Sequence, residues 1–364
     1  MDADLRQPVH SVLMTADTVG GVWTYCMTLA RALRQHDVSV FLATMGAPVS
    51  EDQRRQADAL ENVTVFESTY RLEWMEEPWE DVQRAGDWLL ELEQRIEPDL
   101  VHLNGYSHGA LEWEHPTLVV GHSCVLSWWK AVKGGEAPES WDRYRREVRR
   151  GLAAADSVVA PSRAMAAELR RYYGRLLDVK VIPNASELQA ETPALRRREP
   201  VVFAAGRLWD EAKNVAALDA VAGDLEWPVL LAGDGYSPRG ARLLGRLNAA
   251  QMQEHYARAA IYALPARYEP FGLSVLEAAL SGCALVLGDI PSLRENWDGA
   301  AIFVTPDDHD ALRLALRNLI ADDETRLEMA ARSQARALNF TPERMAEQYL
   351  ELYRTCAQNC STTR

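Results

Sequence analysis

No apolar run in this 364-residue chain approaches the roughly 20 residues that a membrane-spanning helix requires. The longest are strand-sized, such as 117–121 and 229–232. The first eight residues are acidic and polar and carry no apolar leader core, so the sequence predicts no secretory signal and a cytoplasmic protein. Cysteine is scarce: Cys26, Cys124, Cys283, Cys356 and Cys360 make an odd set of five without a zinc-binding spacing. Such a set reads as free thiols in a reducing compartment, not as a disulfide framework. Positive charge is also in short supply. Lys and Arg total 39 against 53 Asp and Glu, a formal charge of −14. That balance disfavours nucleic-acid binding, which depends on neutralising phosphates, and whole-surface attraction to anionic membranes. A local exception is Arg143, Arg145, Arg146, Arg149 and Arg150, which read as a solvated helix face and leave peripheral membrane contact open. The first strand is not followed by a G-x-G-x-x-G turn, so a dinucleotide cofactor is not supported.

The chain does contain a regular alternation of short apolar runs with helical patterns. Strands are predicted at 9–14, 38–44, 63–66, 99–103, 117–121, 157–160 and 179–184. Helices are predicted at 22–33, 51–60 and 79–96. These strands are continuously apolar rather than alternating, as parallel strands buried on both faces are. The stretch 185–200, with Arg196, Arg197 and Arg198, is polar and charged and reads as a linker. Alternation then restarts, with strands predicted at 201–205, 229–232, 260–264, 285–288 and 301–304. Helices between them are predicted at 214–222, 251–258, 273–280 and 310–321. The predicted architecture is α/β, with two doubly wound domains facing each other across a cleft. The domains are expected at 1–185 and 186–340, with a closing helix in 341–364 capped by Thr341. Ligands of open α/β sheets bind at the carboxyl ends of the strands.

The motifs concentrate at those ends. Glu269-Pro270-Phe271-Gly272-Leu273-Ser274-Val275-Leu276-Glu277 places two carboxylates eight positions apart, one in a loop and one in the first turns of a helix. The glycine between them opens the helix, where free N–H groups favour an anion. Carboxylates suit hydroxyls, so a phosphate flanked by two sugar rings would satisfy the whole segment. The apolar stretch 276–285 marks this helix as buried, and a buried Glu277 needs hydrogen-bond partners. Gly206-Arg207-Leu208 follows the strand at 201–205, with Lys213-Asn214 next in the same strand-to-helix turn. A guanidinium fork and an ammonium together match a diphosphate. Gly233-Asp234-Gly235 reads as a structural turn.

In the first half, Gly20-Gly21 opens a helix after the first strand, and His122 stands at the end of the strand at 117–121. His102 and His108 flank the strand-end loop Asn104-Gly105 and are further candidates to line a ligand site. Trp128-Trp129 reads as core or lid packing, with an aromatic platform for a sugar ring as the other reading.

The segment from Pro265 to Glu277, together with Gly206-Arg207-Leu208, Lys213-Asn214 and Gly233-Asp234-Gly235, resembles the retaining glycosyltransferases of family four, which have the GT-B fold. The match in order and separation spans roughly 201–308; the N-terminal half is less similar. The resemblance implies that Glu269 and His122 contact the transferred sugar and that Glu277 holds the ribose. It assigns Arg207 and Lys213 to the diphosphate, aided by backbone N–H groups of Phe271, Gly272, Leu273 and Ser274, with Gly206 in the same loop. Gly20 and Gly21 would lie near the donor phosphates and the acceptor.

The implied reaction is transfer from a nucleotide-sugar substrate, a UDP- or GDP-sugar ahead of an ADP-sugar, to a saccharide, lipid-linked or small-molecule hydroxyl acceptor. Configuration would be retained. No metal and no cofactor are expected, since Arg207 and Lys213 carry the positive charge and no Asp-x-Asp pair stands at a donor-phosphate turn. Two alternatives are a nucleotide-sugar 2-epimerase and a non-catalytic sugar-nucleotide-binding protein.

Overall fold

The computed structural model describes residues 8–188 and 198–363, with side chains to residue 358. The predicted linker therefore lies mostly outside the described residues, at 189–197, as do the N-terminal segment 1–7 and the side chain of Cys360. The chain divides into two compact units. One comprises Met1–Trp129, Glu136–Asn184 and Pro342–Arg364, and the other Lys130–Gly135 and Ala185–Thr341.

The first unit holds a seven-stranded sheet: β1 (Ser11–Asp17), β2 (Ser39–Met45), β3 (Val63–Glu67), β4 (Leu100–Leu103), β5 (Thr117–Val120), β6 (Ser157–Ala160) and β7 (Val179–Val181). Its order is β3-β2-β1-β4-β5-β6-β7, and every pairing is parallel. The second unit holds a six-stranded sheet: β8 (Glu199–Ala205), β9 (Val229–Ala232), β10 (Arg242–Gly245), β11 (Ala259–Leu264), β12 (Ala284–Gly288) and β13 (Ile302–Val304). Its order is β10-β9-β8-β11-β12-β13, again all parallel. Both orders reverse direction once, between β1 and β4 and between β8 and β11. Crossover helices leave on opposite faces at such a point and open a crevice beyond the strand ends.

The packing of the second sheet shows why. Along β11, Tyr262 and Leu264 point into one apolar layer and Ile261 and Ala263 into the other. The first layer is closed by the helix Leu273–Leu280, the second by the helices Val215–Ala222 and His309–Ala321. Burial on both faces is what a continuously apolar strand demands. β10 was not foreseen. It is an edge strand with exposed residues, Arg242 and Leu243, and its apolar content is too small to stand out.

Arg198, assigned by sequence to the linker, is instead a packing residue. Its guanidinium donates to the carbonyls of Tyr256 (3.1 Å), Ala257 (2.6 Å) and Ser281. In the first unit, the helix Pro342–Thr363 packs on the helix Gly21–Arg34 and on β4 and β5. The arginine cluster lies on the helix Asp142–Ala154, whose Tyr144, Val148 and Leu152 are buried. Arg145 pairs with Asp142 (2.8 Å), Arg150 with Glu147 (2.9 Å), and Arg143 lies over the Trp79 ring. Trp128 and Trp129 meet edge to face, half-buried, and Trp129 packs against the core of the first unit. Among the described residues, no helix is long and apolar enough to cross a membrane.

Candidate active site

In the second unit, the chain leaves β8 through Gly206 and Arg207 and leaves β11 through the loop that carries Glu269. These two strands border the switch point, so both loops rim one crevice. Hydrogen bonds sew the loops together. Arg267 N–H donates to the Ala212 carbonyl (2.8 Å). Asn214 Nδ2 donates to the carbonyls of Pro265 (2.9 Å) and Pro306 (2.7 Å). Asn214 is buried at φ 53°, a left-handed conformation that asparagine tolerates better than most residues. Gly233 completes the floor: a Cβ there would stand 2.1 Å from the Gly206 carbonyl oxygen, so only glycine fits.

This stitching brings Lys213 and Glu269 into a direct ion pair. Their side chains are only 15% and 11% exposed, so the pair is largely withdrawn from water. The Lys213 stem lies beside Gly206, 3.9 Å from where a Cβ would sit. Arg207 is oriented by Asp210, whose Oδ2 accepts from the guanidinium at 3.1 Å, and lies over the ring of Trp209. Asp210 also accepts from the Ala212 N–H (3.0 Å) and so fixes the turn that carries Lys213. The Glu269 backbone is anchored too, its carbonyl accepting from the Ser292 hydroxyl.

Gly272 adopts φ 94° and begins the helix Leu273–Leu280 with no side-chain cap, which leaves the first turn to an outside acceptor. Phe271 is buried against Phe340, and the Ser274 hydroxyl accepts from Tyr262 at 2.8 Å. Glu277 follows on the second turn. It retains some exposure, yet its carboxyl sits deep enough that burial pushes its pKa up to about 7. The neighbouring Tyr256 hydroxyl pulls the other way, although it makes no hydrogen bond of full geometry.

The crevice of the first unit is built from different chemistry. Gly20 (φ 128°) starts the helix Gly21–Arg34, also without a side-chain cap, and both glycines are exposed. From β5, His122 reaches Asn104 at the end of β4, with Nε2 to Oδ1 at 2.8 Å. Asn104 is held by Thr15, its Nδ2 donating to the Thr15 carbonyl (2.7 Å) and its N–H to the hydroxyl (2.8 Å). Since the Asn104 amide offers its oxygen, His122 donates from Nε2 and leaves Nδ1 as an acceptor. Burial lowers the His122 pKa to about 3, so the ring is neutral.

His102 and His108 do not line an open site. His102 is fully buried between two tyrosine hydroxyls, and His108 is buried against the Val82 carbonyl (2.9 Å). Strand-end position alone misplaced them: His102 lies inside β4, all four residues of which are buried, and His108 lies in the short helical turn Ser107–Ala110 with its side chain packed inward. Asp210, Ser292, Tyr256 and Tyr262 were not singled out from sequence. Asp210 stands three residues from Arg207, a spacing that could have flagged it; the other three are brought in only by tertiary packing.

Both units resemble known proteins. Residues 19–189 match the profile of Glycosyltransferase Family 4, and residues 199–322 that of Glycosyl transferases group 1. A D-inositol 3-phosphate glycosyltransferase of Xylanimonas cellulosilytica is 28% identical over 299 residues, 70% of this chain and 71% of its own length. Sucrose-phosphate synthase from Thermosynechococcus elongatus superposes with a TM-score of 0.78 at 20% identity, covering 95% of this chain and 98% of that one. The Anabaena protein Alr3699/HepE, solved in complex with UDP and glucose, gives 0.73 at 17% identity, covering 94% and 99%. With matched segments in both units and the doubly wound sheets they share, the chain belongs to the family 4 glycosyltransferases of GT-B type.

Proposed function

We propose that this glycosyltransferase moves a hexosyl group from a nucleoside-diphosphate sugar, a UDP-sugar first among them, to a hydroxyl of a saccharide, lipid-linked or small-molecule acceptor, with retention of configuration. The observation that carries this reading is the Lys213–Glu269 pair at the β8/β11 crevice, with Arg207 in the same loop and Glu277 on the helix behind. Lys213 and Arg207 supply the charge a departing diphosphate needs, and the uncapped turn after Gly272 adds N–H donors. On arrival, the diphosphate competes with Glu269 for Lys213. The freed carboxylate then turns to hydroxyls of the transferred sugar. Glu277, in its recess, accepts from the ribose diol. His122, in the first unit, is given the role of orienting the transferred sugar, with its Nδ1 as the acceptor.

The sugar C1–phosphate oxygen bond breaks as the acceptor oxygen bonds to C1 on the same face, and the acceptor proton passes to the departing phosphate oxygen. No protein–sugar bond forms, so orientation and electrostatics carry the acceleration. The charges present need no metal for this step, and no further cofactor enters it. The UDP found with the Anabaena neighbour supports a UDP-sugar as the first probe.

A thermal-shift series with UDP-, GDP-, ADP- and dTDP-sugars, each beside its free nucleotide, tests the reading. Ligand that binds only the folded state raises Tm by mass action. One base should give a clear shift that Glu277→Ala removes. Absence of any shift at millimolar ligand would overturn the donor site.

A further inference from the structure

His122 is supported from two sides. Asn104 holds its Nε2, and the ring of Tyr25 meets it edge-on with centroids 4.6 Å apart. Tyr25 is itself held. Its hydroxyl lies 3.2 Å from His102 Nε2, and His102 Nδ1 lies 2.6 Å from the hydroxyl of Tyr353, in the helix Pro342–Thr363. Tyr25, His102 and Tyr353 are each 1% exposed or less. Burial keeps His102 neutral, its pKa lowered to about 3. A neutral imidazole has one donor and one acceptor, so it gives to one tyrosine and takes from the other. His102 and Asn104 stand two apart at the end of β4, on the same side of the strand. The two supports of His122 therefore share one rigid strand end.

We propose that Tyr353, acting through His102 and Tyr25, is a positioning residue that sets the ring of His122. The functional meaning of this arrangement rests on the sugar-side role of His122 proposed above; the arrangement itself does not. Removing the Tyr353 hydroxyl strips a fully buried imidazole nitrogen of its partner, a loss that a neutral ring answers by changing tautomer or moving. Tyr25 must follow, and its ring is what His122 leans on.

The test is a two-bond proton–nitrogen correlation spectrum of the histidine rings in the full chain, with His122 assigned from His122→Gln. Wild type should show His122 as one neutral tautomer protonated at Nε2. Tyr353→Phe and Tyr25→Phe, which break the chain at its two ends, should each give a second set of His122 signals while thermal melts show a cooperative fold. Unchanged His122 signals in both variants, with only His102 signals moved, would overturn the proposal. Turnover separates this from the reading beneath it. If His122→Ala leaves transfer from the bound nucleotide sugar intact, the sugar-side role falls and the positioning stands. If His122→Ala impairs transfer and Tyr353→Phe lowers kcat severalfold without changing donor Kd, both hold.

Discussion

The two sheets have the same strand order around their switch points, yet their crevices carry opposite chemistry. Beyond β8 and β11 the groups are charged: Arg207 with Asp210, Lys213 with Glu269, and Glu277 near its midpoint of ionisation at pH 7. Beyond β1 and β4 the candidate groups are neutral: two exposed glycines, an asparagine locked by Thr15, and an imidazole that burial keeps uncharged, while the carboxylates there, Asp17 and Glu73, are occupied by backbone N–H groups of Val19, Tyr106 and Ser107. The topology provides a place for a ligand and leaves the loops to decide which ligand. A charged crevice fits a diphosphate, whereas a neutral, hydrogen-bonding one fits hydroxyls.

The sharpest way to break that contrast is to remove charge from the second crevice. Lys213→Ala should lower kcat by about 10²–10³-fold, the usual cost of losing a donor aimed at developing negative charge. It also leaves Glu269 in a nearly closed setting without its cation, so Tm should fall with it. Turnover and thermal melts on the same preparation check both, and near-wild-type turnover would remove Lys213 from the reaction.

The neutral crevice should respond differently. His122→Ala is expected to lower kcat by about 10²-fold or less, as the loss of an orienting contact does, while donor Kd stays the same. A parallel loss of donor affinity, measured by calorimetry, would show that the first unit helps to hold the donor and would blur the division.

The smallest effect is one of pH. A ribose diol donates to the ionised form of Glu277, so donor affinity should fall as pH drops through about 7, approaching tenfold per unit below it. The dependence should flatten in Glu277→Gln. Stability runs the opposite way. The folded protein holds this proton to a higher pH than the unfolded chain, so the contribution present below the ordinary carboxylate range is lost as pH rises toward about 7. An affinity profile that is flat in wild type would remove the ribose role of Glu277.

Most of the fold was legible because the strands are continuous apolar runs between helical patterns, a signal that survives without tertiary knowledge. β10 escaped because an exposed edge strand has no such signal, and Arg198 was misjudged because the last arginine of a run of three reads as polar until the carbonyls it caps are known. Of the candidate site, the adjacency of Lys213 and Glu269 could only be inferred from their both lying at strand ends. The contact itself depends on Asn214 and Arg267 binding loops from distant strands, at sequence separations no local pattern reports. His102 failed for a complementary reason: it shares its side of the strand with Asn104 but lies inside β4, where every residue is buried, and proximity in sequence to a strand end does not tell where burial begins.

The helix Pro342–Thr363 has one more consequence, for the order in which the chain can become finished. Domains commonly fold as units as they are synthesised, the N-terminal one first. Here the unit that begins first is completed last. Residues 185–341 can emerge and fold while the core around His102 still lacks Tyr349 and Tyr353, which are fully buried in the finished protein. Until those last turns arrive, the first unit presents an aromatic cavity to the cell, and a chain cut short at residue 341 would keep it permanently. A product of that kind would carry an intact second unit and still be marked as unfinished by its exposed apolar surface.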